Sequence, residues 1–161
     1  MFKIASCVMV VALATGYQSA QKTTPRNLLV GVWKVVEVES NGKVNSQPQP
    51  GLYMFTAQHF SIVQVTANEP RVASDPKTRT EFEALWGNNA FVASAGVYEL
   101  LPDNTLATRA VVSKNPNGMS TAAFTKRRVK ADPQGKTVWL TNESGQLGPM
   151  EPYTVKLLRV E

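Results

Sequence analysis

Two stretches decide the reading of this chain: Leu29-Val30-Gly31-Val32-Trp33-Lys34-Val35-Val36 near its start, and Tyr153-Thr154-Val155-Lys156-Leu157-Leu158-Arg159-Val160 at its end. Both are rich in β-branched and aromatic residues and alternate in the manner of strands. Further short runs of the same kind lie between them. The chain therefore reads as one sheet curled until its first and last strands meet. In that arrangement Trp33 and Arg159 stack at the closed end of a small barrel, where a guanidinium is attracted to an indole face. Gly31, Trp33 and Arg159 are thus the expected closure residues.

The runs fall at residues 30–39, 52–56, 60–65, 91–100, 106–113, 122–131, 137–141 and 153–160. Gly, Asn and Pro punctuate them, as at Asn41-Gly42, Pro102-Asp103-Asn104, Asn115-Pro116-Asn117-Gly118 and Asp132-Pro133-Gln134-Gly135. Each supplies the backbone freedom or fixed φ that a reversal needs. Eight runs with mostly short links predict an all-β, up-and-down antiparallel barrel. Closure also removes exposed sheet edges. One segment departs from this pattern. Residues 75–88 read as a short helix between the third and fourth strands, with Asp75 as cap, Pro76 in the first turn and Gly87 as stop. Phe82, Leu85 and Trp86 fall on one helical face. That face is expected to rest on the barrel, either as core or as a lid over its mouth.

With Leu29-x-Gly31-x-Trp33-x-x-Val36, the run from Pro48 and Gly51 to Phe55-Thr56, Gly96-x-Tyr98 and the terminal Arg159 in place, the chain resembles the bacterial lipocalin-like domain proteins. The resemblance spans residues 28–159. It implies an eight-stranded calycin-type barrel and binding of small apolar molecules.

Residues 1–20 read as a secretory signal: Lys3, an apolar stretch at 4–14, then small residues with cleavage after Gly16 or Ala20. An uncleaved N-terminal helix is the alternative. Residues 21–27 form a flexible segment and 28–161 the barrel domain. The sole cysteine, Cys7, lies within the leader, so the mature chain has no disulfide and no thiolate chemistry. No other run is long enough to span a membrane. The expected location is secreted or periplasmic. The formal net charge of +5 is mild, and the basic residues are scattered, which argues against a nucleic-acid partner.

Alternation assigns the lumen. Glu37 shares a face with Trp33 and Val35 and is expected inside. In Phe124-Thr-Lys-Arg127-Arg-Val-Lys130, the residues Lys126, Arg128 and Lys130 point to water and Arg127 points inward. An inward charge needs a partner, water or an anionic ligand. Arg109 sits in a similar apolar setting, its phase open, and Glu37 or Glu99 can pair with either arginine. Tyr53, Phe55, Phe60, Tyr98 and Phe91 supply aromatic surface; the first four, with Glu37, Arg109 and Arg127, are the candidate ligand contacts. His59, the one histidine, sits in a turn without partners for acid–base or metal chemistry. No catalytic residue, metal site or cofactor is expected. The expected function is binding of a small, largely apolar molecule in the lumen, with room for an acidic head group. The alternative is a filled barrel acting through its surface as an interaction or inhibitor module, motivated by an outward Trp139. A cofactor-free barrel enzyme ranks last.

Overall fold

The strands that alternation predicts pair into a single sheet in the computed structural model, which describes residues 27–67, 69–71, 73–87, 91–119, 124–142 and 152–161, without the side chains of Trp86 and Gly87. The expected signal at 1–20 and the segment after it, up to residue 26, lie outside the described residues. In chain order the elements are β1 (Gly31–Ser40), β2 (Lys43–Asn45), β3 (Gly51–Phe55), β4 (His59–Val65), α1 (Arg79–Gly87), β5 (Phe91–Leu100), β6 (Thr105–Ser113), a 3-10 turn at Pro116–Met119, β7 (Thr125–Ala131), β8 (Thr137–Asn142) and β9 (Tyr153–Arg159). Neighbours run β1-β3-β4-β5-β6-β7-β8-β9, all antiparallel, and β9 returns to β1. Eight strands therefore close into a barrel. β2 is an addition to the far end of β1, reached through Asn41-Gly42, whose φ values of 53° and 70° are the left-handed pair of a tight hairpin turn.

The helix follows β4 and not the third strand, because the unforeseen β2 advances the count. Its start is also later than Asp75. Thr78 and Glu81 form a capping box, in which Thr78 Oγ1 accepts from the Glu81 N–H at 3.2 Å and Glu81 Oε2 accepts from the Thr78 N–H at 3.3 Å. Asp75 pairs with Lys77 instead. The expected burial of the apolar face is not observed, since Phe82 is 54% and Leu85 37% exposed. The Trp86 side chain lies outside the described residues.

The closed end is built on Arg159. Its register partner is Trp33, and its guanidinium carbon lies 4.1 Å from the indole centroid. The same side chain donates to the carbonyls of Gly135, Val30 and Leu28, each at 2.7 Å. It thus joins the last strand, the β7–β8 turn and the segment leading into β1. Gly31 has no side chain for a physical reason: its φ is +143°, and a Cβ there would fall 2.2 Å from Arg159 Nη1. Trp33 Nε1 donates to the Leu29 carbonyl at 2.7 Å, which seats Leu29 as a buried plug. Around them pack Phe55, Phe60, Tyr98, Leu106, Val138 and Leu157. Each fully buried aliphatic contributes about 1.5–3 kcal/mol, and with no cysteine in the barrel this core has no covalent help.

Asp132 shapes the β7–β8 turn that offers the Gly135 carbonyl to Arg159. Its Oδ1 accepts from the Gln134 N–H at 2.7 Å and the Lys136 N–H at 3.2 Å, and its other oxygen accepts from the Thr137 N–H. Partial burial opposes ionisation, but those donors prevail and hold the carboxyl below its ordinary value of 3.8. A depressed carboxyl pKa adds stability that is complete above the ordinary value and is lost as pH falls through the folded one. Urea denaturation is therefore expected to show stability dropping as pH falls below 3.8, with a smaller acid-induced drop in Asp132→Asn. Arg159→Ala removes the stack and three carbonyl partners together. It is expected to lower stability by about 2–5 kcal/mol in the same assay; an unchanged midpoint would dismiss the closure role.

Candidate functional site

Polarity along the inner wall changes from one end of the barrel to the other. The closed half is apolar. Toward the opposite end, alternation turns Gln64, Ser94, Thr108, Arg127, Asn142, Tyr153 and Ser40 inward, among Ile62, Val129, Val155 and Val38. Arg127, Asn142, Tyr153 and Ser40 occupy one continuous cross-strand row over β7, β8, β9 and β1. Arg127, Tyr153 and Ser40 are half-buried, and Asn142 is buried.

Arg127 is the inward cation that alternation predicts. Its Nη1 donates to Thr108 Oγ1 at 3.4 Å, a long bond, and Thr108 itself donates to the Thr125 carbonyl at 3.2 Å. Among the described residues no carboxylate forms an ion pair with Arg127. Tyr53 lies nearby, buried, with its hydroxyl donating to Gln64 Oε1 at 2.8 Å. Burial pushes its phenol well above the usual range; the Arg127 charge draws it partly back, and Tyr153 adds to the rise. The Arg127 guanidinium and the Tyr153 phenol thus both lie within electrostatic reach of the Tyr53 hydroxyl. The set donates and accepts hydrogen bonds around one positive charge, which suits an anion.

The other candidates lie elsewhere. Phe55, Phe60 and Tyr98 belong to the packed closed half. Phe55 meets Tyr98 edge-on at 5.3 Å, and Tyr98 donates to the Thr56 carbonyl at 2.6 Å while accepting from Asn27 at 2.8 Å. Burial raises the Tyr98 phenol above its ordinary value, with the Asn27 bond acting against it. Glu37 is outside, contrary to expectation. A bulge between Val35 and Glu37, set against β9, shifts the phase of β1 by one residue. Val38 then turns to the core and Glu37 to the outer face, where it pairs with Lys156 at 3.5 Å. Arg109 is outside too, exposed, with its guanidinium 5.9 Å from the Phe124 ring. Glu99 is exposed on the outer side of β5. Neither glutamate faces Arg127. His59 opens β4, exposed, its N–H held by Thr56 Oγ1 at 3.0 Å. Trp139 points outward, between Lys130 at 5.4 Å and Lys156 at 5.8 Å from its ring.

Sequence reading overlooked Gln64, although it alternates in phase with Phe60 and Ile62, and Thr108, in phase with Leu106. It also overlooked a cavity of about 360 Å³ at the open rim, lined by Glu39 to Gly42 and by Pro152, Tyr153 and Thr154. No local motif marks that cavity, because two ends of the chain form it. Among the described residues no group of His, Cys, Asp and Glu side chains gathers in a metal-binding arrangement, and no helix is long and apolar enough to cross a membrane.

No protein-family model, no curated protein and no solved structure matches this chain. The closed, eight-stranded antiparallel barrel is compatible with a calycin-like fold.

Gln64→Leu strips the buried Tyr53 hydroxyl of its acceptor. It is expected to destabilise the barrel by about 1–3 kcal/mol in chemical denaturation, and adding Tyr53→Phe is expected to recover part of the loss.

Proposed function

We propose that this is a lipocalin-like binding protein, secreted or periplasmic, whose open half holds a small amphipathic molecule with its acidic head at Arg127. The observation that carries the reading is the inward guanidinium, half-buried with one long hydrogen bond and no carboxylate partner among the described residues. A half-buried charge in that state is costly, and an anion offsets the cost. The apolar inner side chains around it suit a hydrocarbon tail, each Å² of which contributes about 25 cal/mol on burial. The leader-like residues 1–20 support export. The Gly31-x-Trp33 and Arg159 closure supports the lipocalin-like assignment.

A second reading, a surface interaction or inhibitor module, draws on Trp139, which presents its ring outward between two lysines. It predicts a protein partner whose binding is lost in Trp139→Ala.

The lumen reading is tested by displacement of a fluorescent fatty-acid probe with dodecanoate. Wild type is expected to bind, Arg127→Met to bind about tenfold or more weakly, and Arg109→Met to match wild type. Absence of displacement, or equal affinity in wild type and Arg127→Met, would overturn it.

A further inference from the structure

The outer wall of the barrel is not uniformly polar. On β7 the outward positions are Lys126, Arg128 and Lys130, as a water-facing strand requires. Across β9, β1, β3 and β4 the wall turns apolar. Alternation buries Tyr53 and Phe55 and leaves Leu52 and Met54 outside; on β4 it buries Ile62 and Gln64 and leaves Val63 outside. Register joins these positions into two adjoining rows. Leu158, Lys34, Leu52 and Val63 form one, and Val32, Met54 and Ser61 form the other. Leu158 is 37%, Met54 38%, Leu52 40% and Val63 40% exposed. Exposed Val160, whose N–H donates to the Val32 carbonyl at 2.8 Å, carries the patch to the closed rim. Contiguous apolar surface of this kind marks a contact face.

Lys34 is the one charge within these rows. It is exposed between Leu158 and Leu52, and among the described residues it forms no ion pair. The flanking acids are each met by a cation: Glu37 by Lys156 at 3.5 Å, and Glu161, at the closed rim, by Arg159, which donates to its main-chain oxygen at 3.2 Å. So few side chains fall short of the roughly 20–30 residues a side of a stable protein interface. A two-fold contact centred on them would also set Lys34 against its own copy. A lipid headgroup layer suits the same set. Aliphatic side chains enter the acyl boundary, while the lysine stem lies along them and lifts its ammonium to the phosphates. The two rows are separated by about 7 Å along the strands, against about 25 Å for the apolar band of a membrane-spanning barrel. Contact is therefore with one leaflet only.

We infer that the outer face of β9, β1, β3 and β4 docks on an anionic lipid bilayer, with Leu52 and Met54 in the acyl boundary and Lys34 at a lipid phosphate. The lumen takes no part in this contact.

The test uses the full chain with Cys7→Ser and one new cysteine, Leu52→Cys or Val111→Cys, labelled with an environment-sensitive nitrobenzoxadiazole dye. Val111 is 70% exposed on β6, outside the patch. Vesicles are phosphatidylcholine alone, or phosphatidylcholine and phosphatidylglycerol in equal parts. On the mixed vesicles the dye at position 52 is expected to shift to the blue, and the dye at 111 to keep its emission in water. In flotation, Lys34→Gln is expected to bind the mixed vesicles about fivefold more weakly than the unsubstituted chain and to match it on phosphatidylcholine. A chain that floats with the vesicles while the dye at 52 stays unmoved would assign binding to the leader-like residues 1–20 and overturn the docking face. Equal shifts at both positions, or a Lys34→Gln variant that matches the unsubstituted chain on the mixed vesicles, would overturn it as well. A blue shift at 52 that grows with protein concentration in the absence of vesicles would give the face to a second copy of the chain and overturn the bilayer.

Discussion

Arg159 is where the two ends of the chain become one wall. Its guanidinium covers Trp33 and holds the carbonyls of Leu28, Val30 and Gly135, so one side chain fixes the register of β9 on β1 and the position of the turn beneath them. Everything inside depends on that register. With β9 paired to β1, Leu157 and Val155 face Val138 and Leu140, and the closed half fills with apolar side chains. A sheet with that seam open would expose two long edges and a row of large aliphatic residues.

A single backbone irregularity then reshapes the opposite half. The bulge at Val36 lets β1 keep Trp33 and Val35 in the core and still turn Val38 inward beyond it. Without it Glu37 would point into the lumen. With it Glu37 is outside, paired to Lys156, and the inner row at that level is Arg127, Asn142, Tyr153 and Ser40. The second bulge, between Ala95 and Gly96 on the β5–β6 pair, belongs to the same design problem. Gly96 lies so close to the Arg109 carbonyl that a Cβ would fall 2.1 Å from it.

The result is a barrel with a polarity gradient along its axis. One end is sealed and apolar; the other carries a cation, two phenols, two amides and hydroxyls on a partly aliphatic wall. Such a combination is how small-molecule sites fix orientation while drawing affinity from apolar burial. The described side chains of helix α1, Phe82 and Leu85 among them, stay exposed and add nothing to that interior.

Much of this was legible from the residues alone. Turn chemistry at Asn41-Gly42 and Asp132 to Gly135, strict alternation in Tyr153–Arg159 and Thr125–Ala131, and the Trp33–Arg159 pair were enough for the eight strands, their antiparallel order, the closure and the inward direction of Arg127. These are consequences of a period of two and of local φ preferences, both written in short stretches. Glu37 and the start of the helix were misread, each for its own reason, and the phase of Arg109 had stayed open. A bulge is one residue inserted into a pairing, and nothing within β1 announces it, though the alternation of Val36 and Val38 against Trp33 already strained the simple phase. The capping box at Thr78 outcompeted Asp75 by satisfying two backbone groups at once. The rim cavity is formed by residues about a hundred positions apart in the chain. The sequence by itself determined which residues are strands and which way each points within an unbroken strand, because that information is local. Only the tertiary structure decided where the phase breaks and which polar groups meet, because those depend on how one strand is pinned against another.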